Sequence, residues 1–104
     1  MEFEPEINLY PDLNKCTIAV IGIGYVGLPL AIEFSEQKKS YSDNSLLNRK
    51  VIAFDTNKER INELKNGFDR TKDNNMKLIS EKHSLEFTND LDLISKADVF
   101  IITV

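Results

Sequence analysis

The chain is poor in the residues that would advertise most chemistries. It has one cysteine, Cys16, and one histidine, His83, in 104 residues. A single cysteine excludes an intrachain disulfide and a cysteine-based metal cluster. At the head of an apolar run, Cys16 reads as a small buried hydrophobe. His83, in the polar stretch "SEKHSLEF", reads as a solvated loop or strand-edge residue rather than a ligand or a base. No apolar run reaches the roughly 20 residues that a membrane-spanning helix needs. The first residues, "MEFEPEINLYPDLNK", lack the basic and apolar regions of a signal peptide, so the expected location is cytoplasmic. Positive charge is not in excess either: the formal net charge is −4, the opposite of what phosphate neutralisation on a nucleic acid requires. There are no internal repeats and no low-complexity tract.

What remains is an ordinary globular composition, 41% hydrophobic and 29% charged, with room for one small domain. Residues 1–14 are acidic and interrupted by Pro5 and Pro11, and read as an arm preceding a domain at 15–104. Glycine is scarce at four residues, yet three of them, Gly22, Gly24 and Gly27, fall within six positions. They follow "CTIAVIG" (16–22), a short apolar run expected of a strand buried on both faces. They precede "YVGLPLAIEFSEQKK" (25–39), whose apolar positions Val26, Leu30, Ala31 and Phe34 have helical spacing. Pro29 falls in the first turn of that helix, where its missing N–H costs least.

Downstream, "SYSDNSLLNR" (40–49) reads as a loop and "KVIAFD" (50–55) as a second strand. "TNKERINELKNG" (56–67) reads as a helix capped by Thr56, with Ile61 and Leu64 inward and Gly67 at its end. A short helix is expected around 73–81. "SLEFT" (84–88) is a third strand, "NDLDLISKA" (89–97) a helix capped by Asn89 or Asp90, and "DVFIITV" (98–104) a fourth strand. This β-α-β-α-(α)-β-α-β order predicts an α/β fold of Rossmann type. Its sheet is parallel, with strand order 3-2-1-4, the N-terminal half of a dinucleotide-binding fold. A buried strand at the end of the chain suggests the beginning of a longer protein.

Strand, glycines and helix match G-x-G-x-x-G in its required context. Gly22 allows the tight turn, Gly24 leaves the backbone open to a pyrophosphate, and Gly27 lets the helix approach the sheet. Phosphates would then meet N–H groups at the positive end of a helix. Asp55, at the end of the second strand, can accept hydrogen bonds from the adenine ribose. It lies 28 positions after Gly27, against about 20 in the usual pattern, and the 40–49 loop accounts for the excess. Asp55 also favours NAD over NADP, because a 2′-phosphate would be repelled by the carboxylate. Lys58 and Arg60 read either as solvated helix charges or as cations able to hold a phosphate.

"IAVIGIGYVGLPLAIEFS", "VIAFDTNKERINELKNGFDRT" and "LEFTNDLDLISKADVFIITV" resemble the start of the UDP-glucose/GDP-mannose dehydrogenases. The likeness is strongest to the branch acting on UDP-N-acetylhexosamines for bacterial surface polysaccharides. It covers about residues 16–104, leaving out the arm and the 40–49 loop. The resemblance implies NAD contacts from Gly22, Gly24, Tyr25, Val26 and Gly27 at the phosphates, Asp55 at the ribose and Arg60 at the adenosine end. It implies that the full-length enzyme oxidises a UDP-sugar C6 alcohol to the uronate in two hydride transfers, and assembly as a homo-oligomer is compatible with it. The family continues with a "PTP"-like turn after "ITV" and uses a lysine, an asparagine and a cysteine further on. The 104 residues are therefore expected to bind cofactor but not to catalyse. Two other readings stay open at this stage: a free-standing dinucleotide-sensing module, and the cofactor domain of another NAD-dependent oxidoreductase.

Overall fold

The computed structural model describes residues 12, 14–40, 42–67 and 84–103. The helix expected at 73–81, His83 and nearly all of the 1–14 arm lie outside the described residues. Four strands form one parallel sheet: β1 (Thr17–Ile21), β2 (Lys50–Phe54), β3 (Leu85–Thr88) and β4 (Val99–Ile102). Their order is β3-β2-β1-β4, as the alternation of elements predicts. Register is set by pairs such as Ile18 with Val51 and Val99, which place like side chains in rows across the sheet. Among the described residues each strand is one or two residues shorter than its apolar run.

Residues on alternate sides of each strand build two cores. Ile18, Val20, Val51, Ala53, Leu85 and Phe87 face one side and pack with Leu28 and Ala31 of α1 (Gly27–Glu36) and Ile61 and Leu64 of α2 (Lys58–Lys65). Ala19, Ile52 and Phe54 face the other side, against Ile94 of α3 (Leu91–Ile94). Cys16 is buried in the first core just before β1, at the amino edge of the sheet, as a small hydrophobe should be. β1 and β2 are covered on both sides, whereas β4 alternates, with Phe100 and Ile102 exposed.

Several local expectations shift. The inward face of α1 is Leu28, Ala31 and Ser35, with Leu30 and Phe34 only half-buried and Val26 exposed. Val26 precedes the first helical residue, so it stands at the mouth of the turn rather than over the sheet. The cap of α2 is Asn57, whose side-chain oxygen accepts from the Arg60 N–H at 3.1 Å; Thr56 lies one residue too early. The end of α2 behaves as expected: Gly67 has φ +80°, the left-handed conformation that ends helices. Asp90 rather than Asn89 caps α3, accepting from the Asp92 N–H.

The 40–49 loop sits at the amino rim of the sheet. Its Ser45 hydroxyl donates to Asp43 at 2.7 Å and accepts from the Asn14 side-chain amide at 2.9 Å. The Asn48 N–H donates to the Asn14 carbonyl, so the loop folds back on the entry to β1.

Candidate functional site: a glycine-lined pocket at the carboxyl end of the sheet

At the opposite rim, the chain leaves β1 and turns into α1. The Gly22 N–H extends the ladder to the Phe54 carbonyl at 2.9 Å, and the turn follows at once. Gly22 has φ +96°, and a Cβ there would run into the Thr103 carbonyl oxygen. A Cβ on Gly27 would overlap the Gly22 carbonyl and approach the Thr103 hydroxyl to 2.7 Å. These two glycines let strand end and helix start touch. Gly24 differs: it is outside the positive-φ set, and a Cβ there would meet nothing within 4 Å. The protein itself does not need a glycine at this position.

The open space beside Gly24 belongs to a cavity of about 320 Å³ lined by Gly22, Ile23, Gly24, Tyr25, Val26, Gly27, Asp55 and Thr103. Tyr25 and Val26 are exposed at its mouth. α1 starts there without any side-chain cap and with no acidic residue in its first turn. The first N–H groups of a helix have no carbonyl partner within it, and Ser, Thr, Asp or Asn usually supplies one. Here the cap position is Val26, which cannot. The Leu28 N–H is taken by the Gly24 carbonyl at 3.2 Å and Pro29 has no N–H, so the helix turns the Gly27 N–H and its positive end toward the cavity, a setting suited to an anion.

Asp55 is half-buried at the end of β2. Its Oδ2 accepts from the Ile23 N–H and its Oδ1 from the Asn57 N–H, both at 2.9 Å. Each carboxylate oxygen can accept a further bond, so Asp55 can serve a sugar hydroxyl while holding the turn. Arg60 is not on the cavity wall. It is buried in α2, 6% exposed, and its Nε donates to the Ile23 carbonyl at 2.9 Å. The solvated-charge reading of Arg60 is thus corrected: helix α2 brings it underneath the loop. Of the seven residues singled out in the sequence, six line the cavity and Arg60 supports it from behind.

Two cavity residues lay outside those seven. Ile23 is an unspecified position of the glycine motif. Thr103 follows β4, its N–H bonded to the Ile21 carbonyl, and its hydroxyl donates to the Gly22 carbonyl at 2.6 Å. The one signal for it was position, since the carboxyl ends of neighbouring strands converge on such a crevice. Among the described residues no cluster of three or more His, Cys, Asp or Glu could hold a metal, and no helix is long and apolar enough to cross a membrane.

A parallel sheet ordered 3-2-1-4, with a glycine turn and an uncapped helix beside strand β1, defines a dinucleotide-binding domain of the Rossmann class. Residues 16–104 match the NAD binding domain of the UDP-glucose/GDP-mannose dehydrogenase family, and the chain belongs to that family. It is 40% identical over 92 residues to UDP-N-acetyl-D-glucosamine 6-dehydrogenase of Salmonella typhi, and 41% identical over 92 residues to the enzyme of the same name from Pseudomonas aeruginosa. Each alignment covers 88% of this chain and 19% of the relative. Among solved structures, a UDP-D-ManNAc dehydrogenase from Pyrococcus horikoshii superposes with a TM-score of 0.64 at 28% identity, over 85% of this chain and 20% of that one. The chain thus spans about a fifth of the length of the relatives it matches.

Proposed function

We propose that the cavity at Gly22–Gly27 receives the adenosine and pyrophosphate portion of NAD, and that the domain serves a UDP-sugar 6-dehydrogenase. The observation that carries the reading is Gly24. It is a glycine that neither packing nor backbone conformation requires, beside an open cavity and an uncapped helix start. A ligand that needs the backbone bare accounts for it.

In this reading the pyrophosphate lies over Gly24, Tyr25, Val26 and Gly27 and takes the place of the missing helix cap. Asp55 accepts from the ribose hydroxyls with the lone pairs left by Ile23 and Asn57. Its charge disfavours a 2′-phosphate, so NAD binds more tightly than NADP. NAD, when bound, supplies the hydride acceptor; the residues described here hold and orient its adenosine half. The names of the relatives support a UDP-N-acetylhexosamine as the substrate of the whole enzyme, with its C6 alcohol oxidised to the acid. Cys16 takes no part as a nucleophile, being buried at the other end of β1. The domain boundary at residue 15 and a cytoplasmic location belong to the same proposal.

Calorimetric or ligand-observed NMR titration of the chain with NAD and with NADP tests it. Weak binding of NAD and weaker binding of NADP is the expected result; tighter binding of NADP overturns the role given to Asp55.

A further inference from the structure

The Ile23 side chain is apolar and brings no chemistry to the glycine turn, yet both of its backbone groups are held by charged side chains. Its N–H is taken by Asp55 Oδ2 at 2.9 Å, and its carbonyl by Arg60 Nε at 2.9 Å, from an element 37 positions along the chain. The preceding carbonyl, Gly22, receives the Thr103 hydroxyl at 2.6 Å. Two successive peptide groups are therefore fixed: Gly22–Ile23 at both ends, and Ile23–Gly24 at its oxygen. In a planar trans peptide the C=O and the N–H point in opposite directions. Holding the Ile23 oxygen against a buried guanidinium thus turns the Gly24 N–H the other way, away from α2.

From this geometry we propose that Arg60 is a positioning residue: it aims the Gly24 N–H at the ligand's pyrophosphate without touching the ligand. The assignment rests on the dinucleotide reading of the cavity and differs from a direct contact at the adenosine end. A guanidinium suits the task, because Nε donates in the fixed plane of a buried, permanently charged group. An apolar side chain at this position would leave a buried carbonyl without its donor and the peptide free to rotate.

The test is Arg60→Met in the 104-residue chain, followed by ¹H–¹⁵N NMR and titration with NAD and with inorganic pyrophosphate. Affinity for both ligands should fall by about the same factor, about tenfold, the scale on which outer supports of a binding site act. In the ligand-free protein the Gly24 amide signal should move and the Ile23 amide should exchange faster. Ile61→Val, on the same helix and buried, should lower the melting temperature but leave both affinities unchanged. A loss of NAD affinity with pyrophosphate binding intact would show a direct adenosine contact and overturn the proposal. So would unchanged affinities with an unmoved Gly24 amide. Should the wild-type chain bind neither ligand, the dinucleotide reading fails, and the Gly24 amide in Arg60→Met alone decides whether the loop is aimed by Arg60. If Arg60→Met does not fold, Arg60→Lys, which keeps the charge but displaces the donor, is read in the same way.

Discussion

The two rims of the sheet carry loops built on opposite plans. At the carboxyl rim, the Gly22–Gly27 turn is held by side chains from distant elements: Asp55 after β2, Arg60 in α2 and Thr103 after β4. At the amino rim, the 40–49 segment is held mostly by itself. Ser40 and Ser42 share a hydrogen bond and Asp43 accepts from the Ser45 N–H and hydroxyl, while Asn14, the bridge of Lys39 to Leu46 and the Leu47 N–H on the Lys38 carbonyl tie it to its surroundings. In the first loop Gly22 and Gly27 are forced by contact; the second has no glycine, and among its described residues the one with positive φ is Asn44 at 59°. The first loop can change neither length nor aim without disturbing three elements. The second could lengthen without touching the cavity, and this explains the long interval between Gly27 and Asp55.

The largest effect that tests this contrast is at Gly27. Gly27→Val should cost about 3 kcal/mol or more, since the new side chain must displace backbone and not a flexible tip. Thermal or urea unfolding reads it, and a fold of near wild-type stability would show that the helix start can slide. Gly22→Ala comes next, at about 2–3 kcal/mol, combining positive φ with a clash at Thr103.

Gly24→Val separates binding from stability. The side chain enters open space, so unfolding should change by less than about 0.5 kcal/mol. NAD affinity should drop about 5- to 150-fold, the equivalent of about 1–3 kcal/mol of steric cost. Undiminished affinity in calorimetry would mean that the loop is no more than a turn. At the amino rim, Ser45→Ala should shift stability by about 0.5 kcal/mol or less and leave NAD affinity as it was.

The smallest effect is a titration. The Ser45 hydroxyl and N–H hold the Asp43 carboxyl below its ordinary pKa. A depressed carboxylate stabilises the fold above its unfolded pKa and loses that contribution as pH falls through the folded value. Exposure keeps the contribution slight. Carbon-detected NMR titration should show the Asp43 shift in the wild type and a smaller one in Ser45→Ala, where the backbone N–H still donates to the carboxylate.

The strand order and the cavity were legible because they depend on local signals. Apolar runs of β-branched residues, a glycine triplet and an acid at a strand end each have a short sequence signature. The burial of Arg60 and the role of Thr103 were not, because each depends on a partner 37 or more positions away. A charged residue in a helix looks solvated until the fold brings a buried carbonyl to it. The α1 face was misjudged for a related reason. Val26 continues the apolar pattern, but the turn uses it up as the cap position, and the buried stripe moves to Leu28, Ala31 and Ser35.

The bare start of α1 has a thermodynamic corollary. A helix with no side-chain cap is less complete in the free protein than with an anion at its start, so ligand and fold are coupled through one equilibrium. Anything that fills the cap site raises the melting temperature in proportion to the logarithm of its free concentration. The increment is about 2.7 kcal/mol at a hundred times the dissociation constant. That stabilisation spreads to the elements behind the loop, because Asp55 and Arg60 join the same peptide groups to β2 and α2. Amide exchange should therefore slow not only at the cavity but along α2, whose residues do not line it. The domain in its working state would be a tighter object than the empty chain, with the cofactor as the last piece of its secondary structure.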